Sequence, residues 1–338
     1  MKQNIAKVLI GLAAFLLPVA LLLSHRNFTI ILGLIGLAGL GTVLQRTPPR
    51  WTLWLFGLMA YGAVTCIWSP SDEAYAWPGF LLALGGLTYS AMGAGDRQLS
   101  TYVLVAAGFA IVLLGFEAVT GGLLRDITPP KAPPNKDDIA TARGITAALY
   151  LAPAVLLVLV RYQRWLSALL VLSSVCVAAF AFGIFANTLA FILAVLAAGF
   201  TYWRPRYGLR LLIVCAVFGF IAMPLSALAL PSVETLLTYE AGPATWRIRL
   251  VIWKVVTQSM AEHPLHLLFG NGIESVRVLG DELGMMSVPG ALHDISVVPT
   301  HPHNVFLQVW YELGLVGCVL SIITLWKGGQ VLVARITT

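Results

Sequence analysis

Apolar residues in this chain come in blocks. Runs of about 18–23 residues, poor in charge and free of apolar–polar alternation, recur at 5–23, 28–45, 51–68, 77–94, 99–116, 143–160, 165–182, 185–203, 208–230 and 304–326. A helix rises 1.5 Å per residue and needs roughly 20 residues to cross about 30 Å of hydrocarbon, so each block is sized for a bilayer. A spanning barrel would show alternation instead. The pattern predicts an all-α, polytopic integral membrane protein of about 10 transmembrane helices.

Two stretches break the rhythm of short loops. The first, 117–142, contains Thr128-Pro-Pro-Lys-Ala-Pro-Pro-Asn135, where proline excludes helix and favours an extended surface connector. The second, 231–302, is long enough for a small subdomain, and loops of that length are usually functional or disordered. Its helical periodicity and aromatic residues favour function. The expected organisation is a nine-helix membrane region at 1–230, a large and partly helical loop at 231–302, and a last transmembrane helix with a short tail at 303–338.

Composition agrees. At 59% hydrophobic and 11% charged, the chain carries more apolar surface than water can solvate. The net charge of +6 becomes informative once sorted by loop. With ten spans, the loops on the N-terminal side hold Lys2, Lys7, Arg46, Arg50, Arg97, Arg161, Arg164, Arg204, Arg206, Arg210, Lys327 and Arg335 against one acid, Asp96. The opposite loops hold nearly all the carboxylates. The positive-inside rule then places both termini in the cytoplasm and the two long loops outside, so the charge is a topology signal rather than a mark of a nucleic-acid partner. Lys2 and Lys7 before the first apolar run resemble a signal peptide, but no small-residue cleavage site stands clear of the next span, and a retained helix is expected. Cys66, Cys176, Cys215 and Cys318 lie in separate spans at unrelated spacing, which is neither a disulfide framework nor a metal site.

Candidate chemistry concentrates in the outer loop and the helix after it. Trp246–Met260 lacks Gly and Pro and plots as an amphipathic helix, with Arg247, Lys254 and Gln258 in a narrow polar arc. Arg249 falls in the middle of the apolar side. A guanidinium there needs an anion, either a structural carboxylate such as Glu312 or Glu274 or a phosphate on a substrate. Glu262-His263-Pro264 ends that helix, and Gly270-Asn271-Gly272 makes a tight turn after it. His263, His266 and His293 read as loop histidines without zinc-ligand spacing. At His301-Pro302-His303-Asn304, proline favours extended geometry for His301, and His303 or Asn304 caps the last helix. An imidazole at this boundary can take a proton from a hydroxyl. Glu312 lies nine residues after His303, on the opposite side of the helix, and needs a partner elsewhere. Gly314 and Gly317 form a small-residue packing face. Arg143, where the proline-rich loop re-enters the membrane, is either a snorkelling interfacial cation or a second phosphate ligand.

His303-Asn304, nine residues, Gly314, two residues and Gly317 resemble the signature of the bacterial O-antigen ligase family, which includes O-antigen polymerases and exopolysaccharide proteins. The Arg249–Trp253 helix segment, the Glu262–Pro264 end and the Gly270–Gly272 turn look like that family's large periplasmic loop. The resemblance covers about 245–317. It implies a GT-C-like inner-membrane glycosyltransferase, inverting and independent of metal or other cofactor, with its active site facing the periplasm. The implied donor is a glycan on undecaprenyl pyrophosphate. The acceptor is a sugar hydroxyl, on lipid A–core for a ligase or on another lipid-linked repeat for a polymerase. His303 matches the essential histidine and Arg249 the pyrophosphate-binding arginine. Arg143, Arg247, His301, Asn304 and Glu312 stand as further candidates for binding pyrophosphate or glycan.

Two features depart from the family pattern. Where many members carry Ser-Arg at an outer turn between middle spans, this chain has Phe182-Gly-Ile-Phe-Ala-Asn187-Thr188, with no cation. Further spans often follow the signature helix, whereas Gln330–Thr338 is too short to cross. A transporter of lipid-linked glycan is the competing reading from another class; it should show mid-membrane polar residues and broken helices in corresponding halves. A scaffolding subunit of an export complex is a third.

Overall fold

The computed structural model describes residues 50–78, 97–120, most of 145–181, 185–238, 244–287 and 294–337, together with Leu81 and Leu123. In chain order the elements are α1 (Thr52–Thr65), a 3-10 turn (Asp72–Ala76), α2 (Arg97–Val119), α3 (Trp165–Ala181), α4 (Phe185–Trp203), α5 (Pro205–Leu228), α6 (Val233–Thr238), α7 (Ala244–Glu262), α8 (Pro264–Phe269), α9 (Ser275–Leu283), β1 (Met285–Met286), β2 (Ile295–Ser296) and α10 (Val305–Thr337). The described residues between 145 and 160 are also helical. The all-α expectation holds, the two short strands forming one antiparallel pair between α9 and α10.

The count of ten spans does not follow from these helices. Among the described residues, two are long and apolar enough to cross a membrane, Pro205–Leu228 and Val305–Ala334. Thr52–Thr65, Val105–Val119, Trp165–Ala181 and Thr188–Trp203 are apolar but shorter. The expected spans at 5–23 and 28–45, nearly all of 77–94, and the proline-rich connector lie outside the described residues. Only 17% of the apolar window in α5 is buried. A core helix of a soluble protein would hide such a surface; lipid solvates it. The last helix also departs from expectation. It runs on to Thr337, where the sequence predicts an end near Trp326 and a short tail.

The described chain falls into two compact units. In the first, α2, α3, α4 and the helical residues of 145–160 share a core of Ile111, Leu114, Ile145, Leu149, Val175 and Phe191. Small residues set the approach of α2 to α3, because a Cβ on Gly115 would overlap Ser174.

The second unit contains residues 48–82 and 209–338, and so every element of the long loop at 231–302. Its main core joins Ile252, Val256 and Met260 of α7 to Val276 and Leu279 of α9, Val298, and Tyr311 of α10. A smaller cluster of Cys66, Ala74 and Ile273 ties the end of α1 to the turn after α8. The loop is thus a packed subdomain seated on α1 and α10.

Candidate active site

Helix α7 presents the first candidate. Burial on it repeats at Ile252, Val256 and Met260, and Arg249 shares that face one to two turns earlier, as its periodicity predicts. Arg247 departs from the prediction. It was expected on a solvated arc, yet its side chain is buried at 8% exposure. A moment calculated from sequence assumes one wet side, whereas α7 packs against neighbours on several. Lys254 also has a task, donating from Nζ to the Leu228 carbonyl at 2.8 Å and so satisfying the end of α5.

The His301–Asn304 stretch follows directly from its residues. Asn304 is the cap of α10, its Oδ1 accepting from the backbone N–H groups of Phe306 at 3.1 Å and Leu307 at 3.3 Å. Immediately before it, His303 takes a left-handed backbone with φ of 52°. For a non-glycine residue this conformation is strained, and such strain gathers at functional sites. The turn folds the two imidazoles edge to face with centroids 4.4 Å apart, and His301 Nδ1 lies 3.0 Å from Thr300 Oγ1. Trp253 Nε1 donates to the Pro302 carbonyl at 3.0 Å, pinning this stretch to α7. Arg249 is one turn from Trp253, so the same bond brings Arg249 beside His303.

The electrostatics reflect that neighbourhood. His303 keeps solvent access on one side, but desolvation by the protein, then the charges of His301 and Arg249, push its pKa down to about 4. At neutral pH the ring is uncharged, with a lone pair available to accept a hydrogen bond from a hydroxyl. Neither carboxylate considered for Arg249 is its partner. Glu274 accepts from Trp77 Nε1 at 2.9 Å and pairs with Arg277 at 3.3 Å, while Arg277 reaches Glu73 at 2.8 Å. Glu312 is held by Gln308 Nε2 at 3.3 Å, one turn back on its own helix. Among the described residues Arg249 makes no ion pair.

Below this pair the signature helix is broken. Gly314 has φ of 62° and ψ of −162°, which interrupts the ladder of α10. The carbonyls of Tyr311 and Glu312 lose their helical donors there, and the turn after α8 replaces them. Asn271 N–H donates to Tyr311 O at 2.8 Å, Gly272 N–H to Glu312 O at 3.0 Å, and Asn271 Nδ2 adds a bond to Tyr311 O at 3.1 Å. Gly270 has φ of 76°, and a Cβ on it would overlap the Glu312 carbonyl; a Cβ on Gly314 would overlap Gly270 N and Leu268 O. The far side of the turn is held by α1 and its end, through Tyr61 Oη to Phe269 O at 2.7 Å, Trp68 Nε1 to Gly270 O at 3.2 Å and Ser69 Oγ to Ile273 O at 2.6 Å. The two signature glycines therefore differ in role from the expected pair on a packing face. Gly314 makes a socket for the Gly-Asn-Gly turn.

The structure thus brings His303, His301, Asn304 and Arg249 together. It places Glu312 beyond them, buried at 5% exposure. Arg143 lies outside the described residues, as does His293. His263 and His266 are both exposed, their rings tilted at 56° with centroids 5.1 Å apart. Gln308 escaped the sequence reading, although its four-residue spacing to Glu312 was a signal. Trp253 and Asn271 were noted there only as parts of a helix and a turn, without the bonds they make to Pro302 and Tyr311.

Comparisons with known proteins bear on this region. A family model described as O-antigen ligase matches residues 186–322. A Rickettsia conorii protein provisionally named a polysaccharide ligase is 27% identical over 128 residues, a match covering 37% of this chain and 29% of that protein's length. No solved structure matches. The matched interval holds α7, the Gly-Asn-Gly turn, the capped histidine stretch and the break at Gly314, and over residues 186–322 the chain is similar to the O-antigen ligase family.

Proposed function

We propose that this chain is a membrane glycosyltransferase of the O-antigen ligase type, acting at the periplasmic face of the inner membrane. In this reading it has about ten spans and cytoplasmic termini. It moves a glycan from undecaprenyl pyrophosphate to a sugar hydroxyl on lipid A–core. The observation that carries the reading is the meeting of Arg249, without an ion pair among the described residues, with a neutral His303. Arg249 binds the pyrophosphate, and its charge-assisted hydrogen bonds strengthen as negative charge develops on the leaving group. His303 accepts the proton of the acceptor hydroxyl. A single displacement at the anomeric carbon inverts its configuration, and no protein nucleophile, metal or other cofactor takes part. The pyrophosphate also prepares the base. Its negative charge offsets the positive field of Arg249, which raises the His303 pKa toward the range where a general base is effective.

The broken α10 is the one observation that leans toward a transporter, whose sites are built on discontinuous helices. In transporters the freed backbone lines a cavity. Here it is filled by the backbone of residues 270–272, which favours a fixed scaffold.

The test is transfer by purified protein from a lipid-pyrophosphate glycan donor. His303→Ala and Arg249→Ala are each expected to lower turnover by about 100-fold or more. Undiminished transfer by His303→Ala would sink the site assignment. Product on lipid A–core supports a ligase, and growth of the lipid-linked glycan supports a polymerase.

A further inference from the structure

At the opposite end of α10 from His303 lies a cavity of about 550 Å³ between the start of α1 and the last turns of α10. Arg50, Trp51 and Trp54 line one side, and Lys327, Gln330 and Val331 the other. No carboxylate is among the residues that line it, and among the described residues neither cation has an acidic partner. The Trp51 ring lies on α10, where a Cβ on Gly328 would touch it at 3.2 Å. Its Nε1 is buried without a hydrogen-bond partner, an uncommon state for an indole donor.

The position sets the ligand. Val305 and Lys327 are 22 residues apart on α10, about 33 Å at 1.5 Å per residue, close to the thickness of the hydrocarbon core. The cavity therefore sits at the headgroup level of the leaflet opposite the candidate active site. Trp54 and Trp326, 41% and 46% exposed, mark the same level, as expected of an aromatic belt. Two cations and an amide around one cleft form a set of donors without an acceptor charge. We infer that this cavity is a binding site for the phosphate headgroup of an acidic phospholipid. Arg50 and Lys327 meet its charge, Gln330 donates to its oxygens, and the acyl chains run along the exposed apolar face of α1. This inference depends on the membrane reading of the chain but is independent of the chemistry at His303.

The test uses the purified full chain in nanodiscs containing phosphatidylcholine and phosphatidylglycerol, with native mass spectrometry counting retained lipids. Wild-type protein is expected to retain phosphatidylglycerol in preference to phosphatidylcholine. Arg50→Ala and Lys327→Ala should each weaken that retention about fivefold. Lys327→Arg should preserve it, which separates lost charge from lost fold. The His303→Ala variant should bind lipid as wild type does, so failure of the proposed transfer reaction leaves this test intact. Excess inorganic phosphate should leave the lipid bound. Equal retention by wild type and both alanine variants, absence of a preference for the acidic lipid, or displacement by inorganic phosphate would each overturn the assignment.

Discussion

His303 carries the most specific consequence at the residue scale. Its pKa near 4 lies below the ordinary value of 6.5, so the ring stays neutral from neutral pH down to about pH 5. Nuclear magnetic resonance of histidine-labelled protein should show one midpoint near 4. Arg249→Ala should move it upward, though only in part, because desolvation is the larger cause. Inorganic pyrophosphate should move it in the same direction. The sign for stability follows from linkage. The unfolded chain binds the proton more readily, so the stabilisation is complete above about pH 6.5 and is lost as pH falls toward 4. A midpoint near 6.5 that ignores Arg249→Ala would refute the electrostatic pairing. The sequence singled out His303 and Arg249 but not their proximity, because the contact depends on the Trp253–Pro302 bond between residues 49 apart.

At the scale of elements, helical periodicity was the legible part. It placed α1 to α5 and α7 close to their observed limits and put Arg249 on the face of Val256 and Met260. It misjudged Arg247, since a pattern of apolar positions records the chemistry of a face and not the number of neighbours around the helix. It also missed the break in α10. Glycine is compatible with both helical and left-handed backbone, so Gly314 within an apolar run gives no local warning. What forces the break is the turn from 270 to 272, tens of residues away. Substitution makes the distinction measurable. Gly314→Ala combines left-handed strain with overlap on Gly270 and Leu268 and should cost at least about 3 kcal/mol, read as a fall in thermal unfolding midpoint. Gly57→Ala, in α1 with nothing within 4 Å of the new methyl, should be neutral or stabilising by about 1 kcal/mol. Equal effects of the two would show that the break is not required.

For the whole molecule, the proposed topology sets the two ends of α10 in different compartments. Thr300→Cys should react with a membrane-impermeant maleimide from the periplasmic side of intact cells, and Leu332→Cys only after the inner membrane is opened. Labelling of both from one side would overturn the orientation. The socket at Gly314 has a further consequence for biogenesis. When the last helix enters the membrane, two of its carbonyls have no donors of their own. In the folded unit they are satisfied by a loop that is held by the end of α1, more than 200 residues earlier in the chain. The first and last parts of this unit must therefore meet before the helix carrying the histidine can settle. Insertion of that helix becomes a late step that registers whether the outer subdomain has formed correctly.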